Sequence, residues 1–224
     1  MMWDELDTAN NLLSDFAAAD GIDPSELIKI TWERFSAMES DLQAIASSHA
    51  LETPQDWVRL SRTLHTIIFD GFYSNAGCFR NASEPGGGAV RFGGNKRLMT
   101  ADFEGSHPND IETEFLGFAE LLCKDADPVR QAVEFFQRFV KTHPFYDANG
   151  RIGRLMANIY LLRYDLTIYW GDFDSNTEFF KKLNKVHKVG HPRIGQLMEY
   201  VNRFVGPVSQ QDSPPDGLAT KDPD

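Results

Sequence analysis

A histidine, an aspartate, two arginines, an asparagine and two glycines stand within one short stretch of this chain, Lys141-Thr142-His143-Pro144-Phe145-Tyr146-Asp147-Ala148-Asn149-Gly150-Arg151-Ile152-Gly153-Arg154. The types suggest phosphate chemistry. His143 is the one group in it that titrates near neutrality and could take a proton from an attacking hydroxyl. Asp147 is acidic where anions would have to be held, which makes sense if it carries a Mg²⁺ that bridges phosphate oxygens. Asn149 and Gly150 supply backbone that an anion can approach closely, and Arg151 and Arg154 supply positive charge.

Two helices must position these groups. Val133, Phe136 and Val140 recur at helical intervals, and Pro144 pushes the preceding residue out of the α region, so the first helix should end near His143. Ile152, Leu155, Met156, Ile159 and Leu162 define the second. Arg151 and Arg154 then fall in its first turn, on one side. That is the unfavourable end for cations, at roughly 0.3–1 kcal/mol each, unless an anion binds the exposed amides and reverses the sign. Gly153 costs about another 1 kcal/mol of helix propensity without evident structural return. A helix start of this kind reads as a polyphosphate cradle formed by Asn149, Gly150, Arg151, Gly153 and Arg154. Singly, each residue also has a plain reading: Asp147 or Asn149 as an N-cap, Gly150 as a turn residue, His143 as a helix-terminal cation. Those readings leave the arginines and glycines unexplained.

The stretch resembles the signature of the Fic family, His-x-Phe-x-(Asp/Glu)-(Gly/Ala)-Asn-(Gly/Lys)-Arg-x-x-Arg, with every fixed position filled. Leu64-His65, Asn75-Ala76-Gly77-Cys78-Phe79-Arg80 and Val90-Arg91-Phe92-Gly93-Gly94 are similar to the family's segment before the motif and to the hairpin flap beside its active site. The resemblance spans roughly residues 60 to 205. It implies an all-α fold, a Fic-type helical bundle with a small β-hairpin flap beside the active site. It also implies a protein adenylyltransferase that moves AMP from Mg-ATP to a Ser, Thr or Tyr hydroxyl of a target protein. His143 would then be the general base and Asp147 would hold Mg²⁺. Asn149, Gly150 and Arg151 would form the anion hole, Arg154 would engage the γ-phosphate, and Ala89, Val90, Arg91 and Phe92 would dock the target's backbone along the flap.

Gly150 bears on the subclass. The kinase-like Doc branch of the family carries lysine there, and glycine favours adenylyl transfer, although Ala148 is shared with the Doc pattern. Phosphotransfer through the same site, with ATP or another nucleotide donor, and an autoinhibited nucleotide-sensing module are the two competing readings. The second rests on Ser48-His49-Ala50-Leu51-Glu52, which resembles the family's inhibitory (Ser/Thr)-x-x-x-Glu-(Gly/Asn) helix except that Thr53 replaces the last residue. Its plain alternative is a helix end, with Thr53 capping a new helix at Pro54. Restraint by a separate antitoxin-type inhibitor is a third arrangement.

The chain has 224 residues, 42% hydrophobic and 25% charged, with a formal net charge of −11. This is enough for one substantial core. The acidic balance argues against a nucleic-acid partner. Cys78 and Cys123 match no metal spacing and read as reduced thiols. No apolar run is long enough to span a bilayer, and the acidic start is unlike a signal peptide, so a cytoplasmic location is expected. Delivery into a host cell by a secretion system would leave no mark in the sequence.

In order, residues 1–55 read as N-terminal helices packing on the core, with Thr8–Ala19 and a start at Asp23-Pro24. Residues 56–205 read as the Fic core and 206–224 as a disordered tail. Within the core, helices are expected over Pro54–Phe72, Pro108–Lys124, Asn176–His187 and Pro192–Phe204, and a hairpin between Asn75 and Asp102. His65 reads as a satisfied core histidine. His187 and His191 have the spacing of a helical metal pair, which Gly190 and Pro192 disrupt.

Overall fold

The computed structural model describes residues 23–92, 103–124, 126–170, 177–189 and 193–208. The expected helix over Thr8–Ala19 and His191 lie outside them. Among the described residues, eight α-helices surround a hydrophobic core: α1 (Pro24–Ser40), α2 (Leu42–Ser48), α3 (Pro54–Phe69), α4 (Ile111–Ala119), α5 (Pro128–Thr142), α6 (Asn149–Leu161), α7 (Thr177–Val189) and α8 (Ile194–Val201). Two short antiparallel pairs accompany them. Strand β1 (Arg91–Phe92) pairs with β2 (Phe103–Glu104), and β3 (Leu166–Ile168) pairs with β4 (Val205–Pro207).

Helix α3 starts where Asp56 turns back on the chain: its Oδ2 accepts from the Glu52 and Thr53 amides and the Thr53 hydroxyl. Trp57, Leu60, Leu64 and Ile68 of α3 are fully buried at helical spacing. Helix α5 begins at an Asp127 N-cap, whose side chain accepts from the Arg130 amide. It buries Ala132, Val133, Phe135, Phe136 and Phe139 on one face. Helix α6 lies at the centre, with every residue buried except the half-buried Gly150, its polar Asn149, Arg151, Arg154 and Asn158 included. A cluster of aromatic rings from three segments, Phe115, Phe135, Phe139 and Phe145, fixes the loop between α5 and α6 from below. Phe115 meets Phe139 edge to face at 5.3 Å, and Phe145 is fully buried.

Several expected boundaries are corrected. The segment Pro108–Lys124 is not one helix: α4 is flanked by 3₁₀ turns at Pro108–Asp110 and Glu120–Cys123. The hairpin's return strand falls at Phe103–Glu104, past the expected end at Asp102. Gly206 and Pro207, assigned to the expected tail, pair with Thr167 and Leu166 in the second ladder, and residues 209–224 lie outside the described residues. Two residues paired to a strand are legible only once that strand is known.

Candidate active site

Helix α5 ends at His143, which takes left-handed backbone angles (φ 52°, ψ 59°) before Pro144. Its Nδ1 lies 3.4 Å from the Val140 carbonyl. A carbonyl only accepts, so the proton sits on Nδ1 and Nε2 is the nitrogen that can receive another. Burial, and after it the nearby Arg80 guanidinium, pull the imidazole's pKa down to about 3, which keeps it neutral. The ring of Phe92, from β1, stacks on it at 4.6 Å with planes 13° apart.

The loop that follows is tied by Asn149. Its side chain accepts from the Phe145 amide (3.0 Å) and donates to the Phe145 carbonyl (2.9 Å). Its amide group therefore shapes the loop rather than facing a ligand. Phe145 in turn stacks on His65 at 4.2 Å. His65 Nδ1 accepts from the Gly77 amide, so it is the satisfied core histidine its position suggested, held neutral with a pKa of about 3 by burial and then by Arg151.

Ala148 is the N-cap of α6, in the left-handed region (φ 59°), and offers no side-chain cap. The first helical bond runs from the Ile152 amide to the Ala148 carbonyl, so the amides of Asn149, Gly150 and Arg151 precede the ladder. Asp147 is buried. Its Oδ1 accepts from the Ala148 amide at 2.6 Å, and its Oδ2 lies 3.5 Å from an Arg151 Nη, without a hydrogen bond of its own. Burial raises the pKa of this carboxyl, and the Arg151 charge opposes the rise. Arg151 is 3% and Arg154 8% exposed. The Arg151 guanidinium also lies over the rings of Trp32 from α1 (5.3 Å) and Phe69 from α3 (5.8 Å).

Two expected site residues take other roles. A Cβ on Gly153 would come within 3.1 Å of Phe136 and 3.3 Å of Phe139. The glycine lets α6 approach α5, which is the structural return its sequence did not reveal. Glu52 follows the end of α2 at Ser48 rather than continuing a helix, and its side chain is exposed with no ion pair among the described residues. Its amide serves the start of α3 instead. Thr53 occupies the cap position of α3, as in the plain reading of that segment.

In the flap, Ala89 and Arg91 are exposed while Val90 and Phe92 point inward. Arg91 pairs with Glu104 at 2.8 Å across the ladder. Three residues beside it take places that the sequence reading did not assign to them. Gly105 passes so close to the base that a Cβ would lie 2.7 Å from Val90, 2.9 Å from Arg80 and 3.1 Å from His143. Arg80 is fully buried and bonds to the His143 carbonyl. His187, also buried, sets its ring edge-on to Phe92 and Phe103, and burial, then Lys141, lower its pKa to about 4.

Among the described residues no three His, Cys, Asp or Glu side chains gather as a metal site. One buried carboxylate oxygen lacking a donor, at an uncapped helix start, fits a Mg²⁺ that arrives with its phosphates, since that ion is commonly held by one or two carboxylates plus phosphate oxygens.

A buried imidazole at the end of one helix, a carboxylate, and an uncapped second helix carrying two arginines, all beneath a β-hairpin, define a helical His-loop-helix domain. Residues 58–161 match the model of the Fic/DOC family, and the relatives and solved structures similar to the chain support a Fic (Fido) family protein. It is 28% identical over 111 residues to a protein adenylyltransferase Fic of Nematostella vectensis, and 31% identical over 97 residues to a Fido domain-containing protein of Dictyostelium discoideum. Those matches take in 48% and 41% of this chain but only 25% and 63% of the relatives. Among solved structures, the fold is similar to BepC of Bartonella tribocorum with bound AMPPNP (TM-score 0.54, 16% identity, covering 83% of this chain and 89% of that one). It is likewise similar to an N-terminal Fic domain of Bartonella quintana with bound ADP (TM-score 0.59, 16% identity, 83% and 87%).

Proposed function

We propose that this protein is an adenylyltransferase that moves AMP from ATP to a hydroxyl of a target protein. The observation that carries the reading is the state of His143: a neutral imidazole with its proton on Nδ1, set at the mouth of a loop that leads into an uncapped helix start. The target oxygen forms a bond to the α-phosphorus as the bond from that phosphorus to the β-phosphate oxygen breaks. The hydroxyl proton passes to His143 Nε2, and pyrophosphate leaves. The first amides of α6, with Arg151 and Arg154, balance charge developing on the phosphates. Asp147 would hold Mg²⁺ against those phosphates, where the ion supplies charge neutralisation. The exposed side of β1 offers main-chain groups to an extended target segment, with Phe92 keeping the strand over the base. The relative named as an adenylyltransferase, and the Bartonella structures with AMPPNP and ADP, support a nucleotide substrate of this kind.

Incubating the protein with Mg²⁺, a cell lysate and ATP labelled at the α- or the γ-phosphate tests this. Protein should acquire label from the α position alone, and His143→Ala should lose it by at least about 10²-fold while still binding ATP. Label from the γ position would replace the proposal with phosphotransfer.

A further inference from the structure

Arg80 sits where the flap, the base and the end of α5 meet. Its guanidinium is 2% exposed, and every bond it makes goes to a main-chain carbonyl. Nε donates to His143 at 2.7 Å, Nη1 to Gly88, and Nη2 to Ser106 at 2.9 Å and to Thr142 at 3.2 Å. The Arg80 amide adds a bond to the Pro144 carbonyl. Gly88 lies just before β1 and Ser106 just after β2, so one planar fork joins both roots of the hairpin to the residue that ends α5. A second set of bonds runs alongside, from the Ser106 amide to the Thr142 carbonyl and from the Thr142 and Ser106 hydroxyls to Glu114.

Burying a cation without a carboxylate partner is costly. Here burial lowers the guanidinium's pKa to about 10, partly offset by Tyr146 and Glu84 nearby. An apolar side chain could fill the same space without that cost. What an apolar residue lacks is a rigid set of donors that can hold four carbonyls in one arrangement. One of those carbonyls belongs to a non-glycine residue in the left-handed region, a conformation that the surroundings must enforce.

We propose that Arg80 is a positioning residue that fixes the main chain of His143 against the roots of the flap. The base and the strand that would receive the target then share one reference point. The inference deepens the adenylyltransferase reading and rests on it for the role of His143. From other elements, Arg80 and His187 are the charged or titratable groups acting on that imidazole, while Phe92 and Gly105, which also touch it, carry no charge.

Three measurements test the proposal. In Arg80→Lys, which keeps the charge and loses the fork, kcat for AMP transfer should fall by about 10²-fold, as expected for a misplaced catalytic group. KM for ATP should stay within about threefold, since the phosphate cradle is untouched. A lysine variant with the wild-type rate would show that charge alone suffices and overturn the proposal. In Arg80→Met, the main-chain amide signals of His143 and Gly105, followed by NMR, should shift and exchange with solvent at least about tenfold faster, because the carbonyls beside them lose their donors. Unchanged amide signals and exchange in a folded variant count against the proposal. In the wild type, the Arg80 Nη protons should give separate, slowly exchanging signals, because three carbonyls stop the guanidinium from rotating. Averaged, fast-exchanging signals would overturn the proposal even if neither variant folds. The NMR measurements need no transfer activity, so a wild type that transfers no AMP would sink the proposed reaction and leave the placement of Arg80 to be judged separately.

Discussion

Gly153 shows how a residue that reads as a cost within its own helix can have its return in a neighbouring one. Its presence in a helix start is a propensity cost, and a cost invites a functional explanation. The explanation is instead the distance of two phenylalanine rings across the α5–α6 contact, which spacing within one helix does not encode. Gly153→Ala should gain about 1 kcal/mol of helix propensity and lose roughly 1–3 kcal/mol to overpacking against Phe136 and Phe139, a net loss of about 1 kcal/mol. Urea unfolding should register that loss while ATP affinity stays at the wild-type value. Unchanged stability with weakened ATP binding would return Gly153 to the cradle. The order of His143, Asp147 and Arg154 could be read along the motif, and the structure sets them at the end of α5, in the loop and in α6. The roles of Arg80 and Gly105 could not be read, because each acts through main-chain atoms of segments distant in sequence, and nothing in a neighbouring residue marks such a contact.

Among the elements, the helices flanking the motif could be read from apolar periodicity, since one face of each is buried against the core. Helix α4 and its 3₁₀ flanks were read as a single helix because Phe115, Phe118, Leu121 and Leu122 continue an apolar pattern that does not distinguish the two helix types. The short strands were the least legible elements. Two residues of β1 and two of β2 form a ladder whose partner lies beyond a long intervening segment, so alternation had no length in which to appear. The segment before α3 turns on the same distinction between local pattern and contact. Ser48 and Glu52 have the spacing of an inhibitory helix, yet α2 stops at Ser48 and the Glu52 amide joins the Asp56 cap. Glu52→Gly should therefore leave AMP transfer within about twofold of the wild type, because no side-chain contact is lost. A large increase in the labelling assay would mean that Glu52 reaches the arginines in another arrangement of α2.

At the scale of the whole molecule, the core contains three imidazoles held neutral: His65 and His143 with pKa values of about 3, and His187 at about 4. Each is mainly lowered by burial from an ordinary 6.5. Between those values and 6.5 the unfolded chain binds protons that the folded chain does not, so stability rises with pH across that window. It is fully present above about pH 6.5 and is lost as pH falls, by about 1.4 kcal/mol per pH unit for each imidazole and up to about 4 kcal/mol per unit for all three. Asp147, whose pKa burial raises, acts in the opposite sense over part of the range. With a total stability of roughly 5–15 kcal/mol, the fold should give way near pH 4, before the imidazoles charge in place. His187 is the one to remove, because its contacts with Phe92 and Phe103 are ring against ring, which a phenylalanine can reproduce. His187→Phe should leave stability at pH 7 unchanged or higher and reduce the acid slope by about 1.4 kcal/mol per unit. Urea unfolding from pH 7 to pH 5 measures both quantities. A wild-type stability that stays flat over that interval would mean that the histidines are not held neutral by the fold.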